Sequence, residues 1–224
     1  MPPASSPDLE PNMATATARS QTLYSYQVIR SAERDVQETM RQVTAEDYAL
    51  VAPARPWASF LGLFGLGSNE MVVVLTGGPE ALLTARRRLA ALPGVEITSF
   101  CLFSPTVRPT ESSALTQPGL YVLRFFDVGN GDVEEVARLS SEAWVSFTDA
   151  DDYRAEPQAL FRQVDHRGDR GKMLLVTWYE GFDSWQTSRA PAPEARDNFL
   201  RRRQLTAGTT AYATRLVIAD EAAG

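Results

Sequence analysis

Apolar positions along the chain fall into alternating strand-like and helix-like runs, and the same order occurs twice. Residues 23–30 (LYSYQVIR) are aromatic and β-branched and predict a strand. Val36, Met40 and Val43 then recur at spacings of four and three, one stripe of a helix. Residues 57–66 (WASFLGLFGL) form a short apolar run broken by the turn Gly67-Ser68-Asn69, and residues 70–76 (EMVVVLT) predict a buried strand. Gly77-Gly78-Pro79 opens a second helix, with proline in the first turn, where a missing N–H costs nothing. Leu82, Leu83, Leu89 and Leu92 stripe that helix, Pro93-Gly94 stops it, and residues 95–103 predict a last strand.

The second half repeats this order. Residues 119–128 (GLYVLRFFDV) predict a strand, residues 129–132 a turn with Asp132 as N-cap, and Val133, Val136, Ala137, Leu139, Ser140 and Ala143 one helix face. A short strand at 159–165, a hairpin turn at 166–171 and a strand at 172–180 follow, then helical stretches at 182–188 and 193–205 and a final strand at 209–218. Both halves read β-α-β-β-α-β, and Leu23-Tyr24 matches Leu120-Tyr121 at an offset of 97. The second copy carries an insertion near 145–158 that holds Phe147, Asp149, Asp151, Asp152 and Tyr153. This order is the split βαβ, or ferredoxin-like, unit.

The strands are apolar on both faces. Leu120, Val122, Phe126 and Val128 form one alternating set, and Tyr121, Leu123 and Phe125 the other. A sheet apolar on both sides must be covered on both. The expected fold is therefore α+β: two tandem ferredoxin-like repeats whose sheets pack face to face as an intramolecular barrel with helices outside. The expected organisation is a disordered tail at 1–20, a first repeat at 21–106, a linker at 107–118 and a second repeat at 119–220. The tail is rich in Pro, Ser, Ala and Thr, and Met13 is an alternative start of translation.

Composition narrows the function. The formal net charge of −6 argues against duplex nucleic acid or an anionic membrane as partner. The tail has no basic start or apolar stretch of a secretory signal, and no apolar run reaches about 18 residues, so a cytoplasmic location is expected. One cysteine, Cys101, excludes an intramolecular disulfide framework and a cysteine-rich metal site, and one histidine, His166, excludes any site that needs two. The acidic stretch 149–156 lacks the glycine and spacing of a calcium loop, and Gly77-Gly78 lacks the lysine of a phosphate loop. The triplets 86–88 and 201–203 (Arg-Arg-Arg in each) read as solvated helix faces, and Cys101 as an inert core thiol.

A resemblance enters at Trp178-Tyr179-Glu180-Gly181-Phe182-Asp183-Ser184-Trp185, followed by Pro193-Glu194-Ala195-Arg196 and Phe199. These residues resemble the third strand and second helix of the dimeric α/β-barrel superfamily, most closely its NIPSNAP and antibiotic-biosynthesis-monooxygenase-like branches. Residues 121–126 (Tyr-Val-Leu-Arg-Phe-Phe), with the turn from Gly129, are similar to its first strand. The resemblance covers residues 119–218, and Gln27 stands in the first half where the second has Arg124. It implies a fused version of a barrel usually built from two chains. It also implies cofactor-free monooxygenase, cyclase, isomerase or haem-binding activity, or none.

Several residues are candidates for chemistry. Arg124 shares a strand face with Leu120, Val122, Phe126 and Val128, so its guanidinium is either paired, for instance with Glu135, or anchors an anion or carbonyl. Tyr179 is a candidate for polarising the same carbonyl. His166 is a candidate base or haem ligand, or a surface residue of a polar turn. Tyr121, Trp144, Trp178, Trp185, Tyr24 and Tyr26 either line a flat ligand pocket or pack the core. The expectation is a cofactor-independent enzyme acting on an apolar or aromatic metabolite in a pocket between sheet and helices of the second half, without metal, as monomer or homodimer. The alternatives are a non-catalytic binding protein and a haem protein that uses His166.

Overall fold

Two-sided apolar strands leave the chain one economical arrangement, and the computed structural model adopts it. It describes residues 22–34, 36–44 and 49–218; the tail at 1–20 and the alternative start at Met13 lie outside the described residues. The first half contributes β1 (Leu23–Ser31), α1 (Gln37–Thr44), β2 (Arg55–Phe64), β3 (Glu70–Gly77), α2 (Pro79–Ala90) and β4 (Val95–Arg108). The second contributes β5 (Leu120–Gly129), α3 (Val133–Thr148), β6 (Ala155–Gln163), β7 (Arg170–Tyr179), α4 (Phe182–Thr187), α5 (Pro193–Leu205) and β8 (Thr206–Leu216).

The strands close into a barrel in the order β1-β3-β2-β8-β5-β7-β6-β4, with antiparallel pairing throughout. Within each half the order is fourth-first-third-second, the ferredoxin-like arrangement. The two sheets join at β2–β8 and at β4–β6, which leaves the barrel no open edge. Gly119, at φ 149°, immediately precedes β5; a Cβ there would lie 2.3 Å from Trp178 Nε1.

Alternation assigns each side chain to the barrel lumen or to the helix layer. The lumen is filled by aromatic and branched residues from both halves. Tyr24, Trp57 and Phe161 pack there with ring centroids 4.7–5.6 Å apart. In the first half the outer face is sealed: Met40, Val43, Leu82, Ala85 and Leu89 bury Ile29, Met71, Val73 and Leu75. In the second half α3 lies on the sheet through Val133, Val136, Ala137 and Trp144. Helix α5, with only a few apolar positions, packs mainly on α3 and touches the sheet chiefly at β8. The gap between α5 and the sheet becomes the cavity described below.

Three sequence expectations change. Strand β4 runs past Phe103 to Arg108, through a register shift between Pro105 and Arg108, so the connection to β5 is shorter than 107–118. The expected insertion at 145–158 comprises the end of α3, the connection 149–154 and the start of β6, and Pro157 sits at a bulge, where a strand tolerates proline. Asp132 precedes α3 but makes no side-chain cap, and a single 3₁₀ turn at Asn130–Asp132 leads in. No helix among the described residues is long and apolar enough to cross a membrane.

Candidate functional site

On β5 the residues Leu120, Val122, Phe126 and Val128 meet the helix layer, and Arg124 lies among them on the same face. Its neighbours across the strands are Leu175 on β7 and Ala211 on β8. Glu135 does not pair with it; that carboxylate is exposed and engages Arg138 and Arg201. The Arg124 Nε–H is buried without a hydrogen-bond acceptor, and burial lowers its pKa, with the charge of Arg189 acting in the same direction. At the corresponding position on β1, Gln27 is fully buried and donates to Ser25 Oγ at 3.2 Å.

Arg124 opens into a cavity of about 750 Å³ between β5, β7, β8 and the helices α3 and α5. That size suits a small organic ligand. Phe126, Trp144, Phe147 and Phe199 give the cavity apolar walls, and Thr177, Tyr179 and Ser188 give it hydroxyls. Burial raises the Tyr179 pKa, while the Arg124 charge and hydrogen bonding with Ser188 oppose the rise. The hydroxyl is therefore a proton-bearing donor at neutral pH. Arg202, near the end of α5, turns inward: it is 7% exposed, its Nη1 donates to Ser140 Oγ at 3.1 Å, and its guanidinium lies over Phe199 and Phe126.

The remaining candidates separate. Trp185 stands next to the cavity, with its Nε1 buried and unpartnered and Arg189 against its ring. Tyr24, Tyr26, Tyr121 and Trp178 face the barrel lumen instead. Tyr121 donates its hydroxyl hydrogen to Gln117 O at 2.7 Å, and Trp178 donates Nε1–H to Pro118 O at 2.9 Å, so these two tie the connection before β5 to the lumen. His166 sits in the β6–β7 turn. It packs over Gly171 and lines a separate cavity of about 390 Å³ with Val128, Asn130 and Lys172. Cys101 is half-buried beside the lumen, and desolvation pushes its thiol up to about 11, so it stays protonated. The inward-facing arginine of α5 was not among the sequence candidates. The signal for Arg202 was its spacing: Ala195, Phe199 and Arg202 fall at i, i+4 and i+7.

Burial also raises the pKa of Tyr24, Tyr26, Tyr121 and Tyr153 along with Tyr179, that of Tyr153 to about 12. Each folded value stands above the unfolded value near 10. The folded state therefore holds protons that the unfolded state releases, and stability is full below about pH 10 and falls as pH rises through the folded values. Urea midpoints at pH 8, 10 and 11 should decline across the last interval; a flat series would contradict the burial of these hydroxyls.

No known family profile matches the chain, and no curated protein matches it. Solved structures do match in fold. A candidate chlorite dismutase superposes with TM-score 0.62 at 14% identity, over 91% of this chain and 98% of its own. An anthrone oxidase-like protein gives TM-score 0.60 at 15% identity, over 89% and 92%. A candidate monooxygenase from Fusobacterium nucleatum gives TM-score 0.55 at 10% identity, over 88% and 93%. The fold is thus the ferredoxin-like α/β barrel found among monooxygenase-type and chlorite dismutase-like proteins.

A haem-binding protein from Thermus thermophilus also shares the fold, at TM-score 0.55 and 10% identity, covering 89% and 92%. The residues of the large cavity do not fit haem held by imidazole: none of its lining residues is histidine, and His166 faces the other cavity. Among the described residues no group of three or more His, Cys, Asp or Glu side chains could hold a metal. Haemin titrated into the protein should give an absorption spectrum that His166→Ala leaves unchanged; loss of a Soret band in that variant would restore His166 as a ligand.

Proposed function

We propose that the chain is a cofactor-independent oxygenase-type enzyme whose second-half cavity binds an aromatic carbonyl compound. The observation that carries this reading is that the Arg124 side chain, which makes no ion pair among the described residues, and Tyr179 line one aromatic-walled cavity. Two such donors stabilise negative charge on a carbonyl oxygen, and a low-dielectric wall strengthens them. A ketone conjugated through an aromatic ring to an activated CH₂ group ionises more readily there, because a nearby cation favours the charged form. No carboxylate or imidazole lines the cavity, so the proton leaves to water at the open side. The resulting enolate is the reductant for dioxygen. The CH₂ carbon gains one oxygen as a new carbonyl, the other oxygen leaves as water with both hydrogens, and no external reductant is consumed.

The likeness to an anthrone oxidase-like protein makes a hydroxylated anthrone the first compound to try. With 1,8-dihydroxyanthrone, the protein should accelerate dioxygen uptake and quinone formation above the uncatalysed rate, equally with and without a chelator. A rate equal to the blank would overturn this reading. A non-catalytic binding role of the NIPSNAP-like kind would then stand in its place, and the lack of a base among the lining residues favours that alternative.

A further inference from the structure

The charge on the cavity wall is one-sided. Arg124, Arg189, Arg196, Arg202 and Arg203 line it, and no aspartate or glutamate does, in a chain whose net charge is −6. None of the five makes an ion pair among the described residues. They form two tiers. Arg189, Arg196 and Arg203 are exposed at the rim, whereas Arg202 is buried and Arg124 largely so. Burial draws the Arg202 pKa down to about 10, and the charge of Arg124 adds to that effect, so the two inner guanidinium groups repel one another across the cavity. Arg202 keeps one hydrogen bond, to Ser140, and two aromatic faces. Among the described residues neither inner cation has a counter-ion.

Buried cations are ordinarily paired, and leaving one unpaired costs more than its packing returns. A polypeptide that needed only to fill this gap would use leucine, as the first half does at Leu82 and Leu89 over Ile29. We infer that the cavity takes an aromatic ligand bearing an anionic group, a carboxylate or phenolate, which supplies the missing counter-charge between Arg124 and Arg202 while its ring lies against Phe126, Trp144 and Phe199. The exposed arginines at the rim draw such an anion in, a steering effect that salt screens. This inference rests on the proposed cavity, but not on turnover.

Matched probes test it. Anthraquinone-2-carboxylate and anthraquinone-2-carboxamide share a ring system and differ in charge at pH 7.5. Titration calorimetry on the full chain should show the carboxylate bound about ten-fold tighter or more, since charge-assisted hydrogen bonds are the stronger class. That preference should shrink at 0.5 M salt, and Arg202→Met and Arg124→Gln should each reduce the ratio of carboxylate to carboxamide affinity. Arg202→Met also removes the bond to Ser140, so Arg124→Gln decides the matter if the first variant does not fold. Equal or weaker binding of the carboxylate, a preference that survives the decisive substitution, or no binding of either probe would overturn the inference. A carboxylate preference without dioxygen uptake would sink the oxygenase reading and leave the anion site standing.

Discussion

Replacing Arg124 by glutamine should lower kcat/KM for anthrone-dependent dioxygen uptake about 100-fold, the usual effect of removing one oxyanion donor. The substitution is informative because glutamine is what the matching strand of the first half carries, at Gln27. It removes the charged guanidinium donor and leaves only a shorter, neutral amide. The unfolding midpoint in urea should stay the same or rise, because an unpaired buried cation with an orphan Nε–H is removed. Stopped uptake with unchanged stability identifies Arg124 as a functional residue. A marked loss of stability would instead identify it as part of the packing, and unchanged uptake would remove it from the reaction.

The largest stability effect should come from the lumen. Trp57 on β2 is 1% exposed and meets Tyr24 and Phe161 edge-on, so it bridges the first half to β6 of the second. Truncation to alanine leaves a cavity bounded by rigid strands that cannot collapse. The expected cost is about 3–5 kcal/mol in chemical denaturation, the range for large aromatic deletions in cores. A cost below about 1 kcal/mol would mean that the two sheets do not depend on one another across the lumen.

The barrel was legible because its strands carry apolar residues on both faces, and Tyr121 and Val122 can be buried together only between two layers. Alternation also placed Arg124 with Val122 and Phe126, which is where it lies. The same alternation separates Tyr121 from Arg124, and strand pairing then carries Trp178 with Tyr121 to the lumen. Grouping these aromatics with the pocket therefore joined two faces that the strands keep apart. The inner arginine of α5 was hidden for a different reason. A run of three basic residues looks solvated as a unit, yet a helix turns about 100° per residue, so Arg202 faces inward while Arg201 and Arg203 stay exposed. Sequence alone places the sixth strand at 159–165, whereas in the fold β6 starts at Ala155 and takes Pro157 into a bulge.

The difference between Gln27 and Arg124 bears on stoichiometry. A barrel closed by two identical polypeptides duplicates every hollow by symmetry, so each assembly offers a pair of equivalent binding positions that can sense one another. Here the two halves differ: the outer face of the first is packed under its helices, and the second keeps the cavity. On the proposed reading, occupancy of the arginine-lined hollow should saturate as a simple hyperbola, one molecule per polypeptide, and substitutions in the packed half should alter rigidity without altering selectivity.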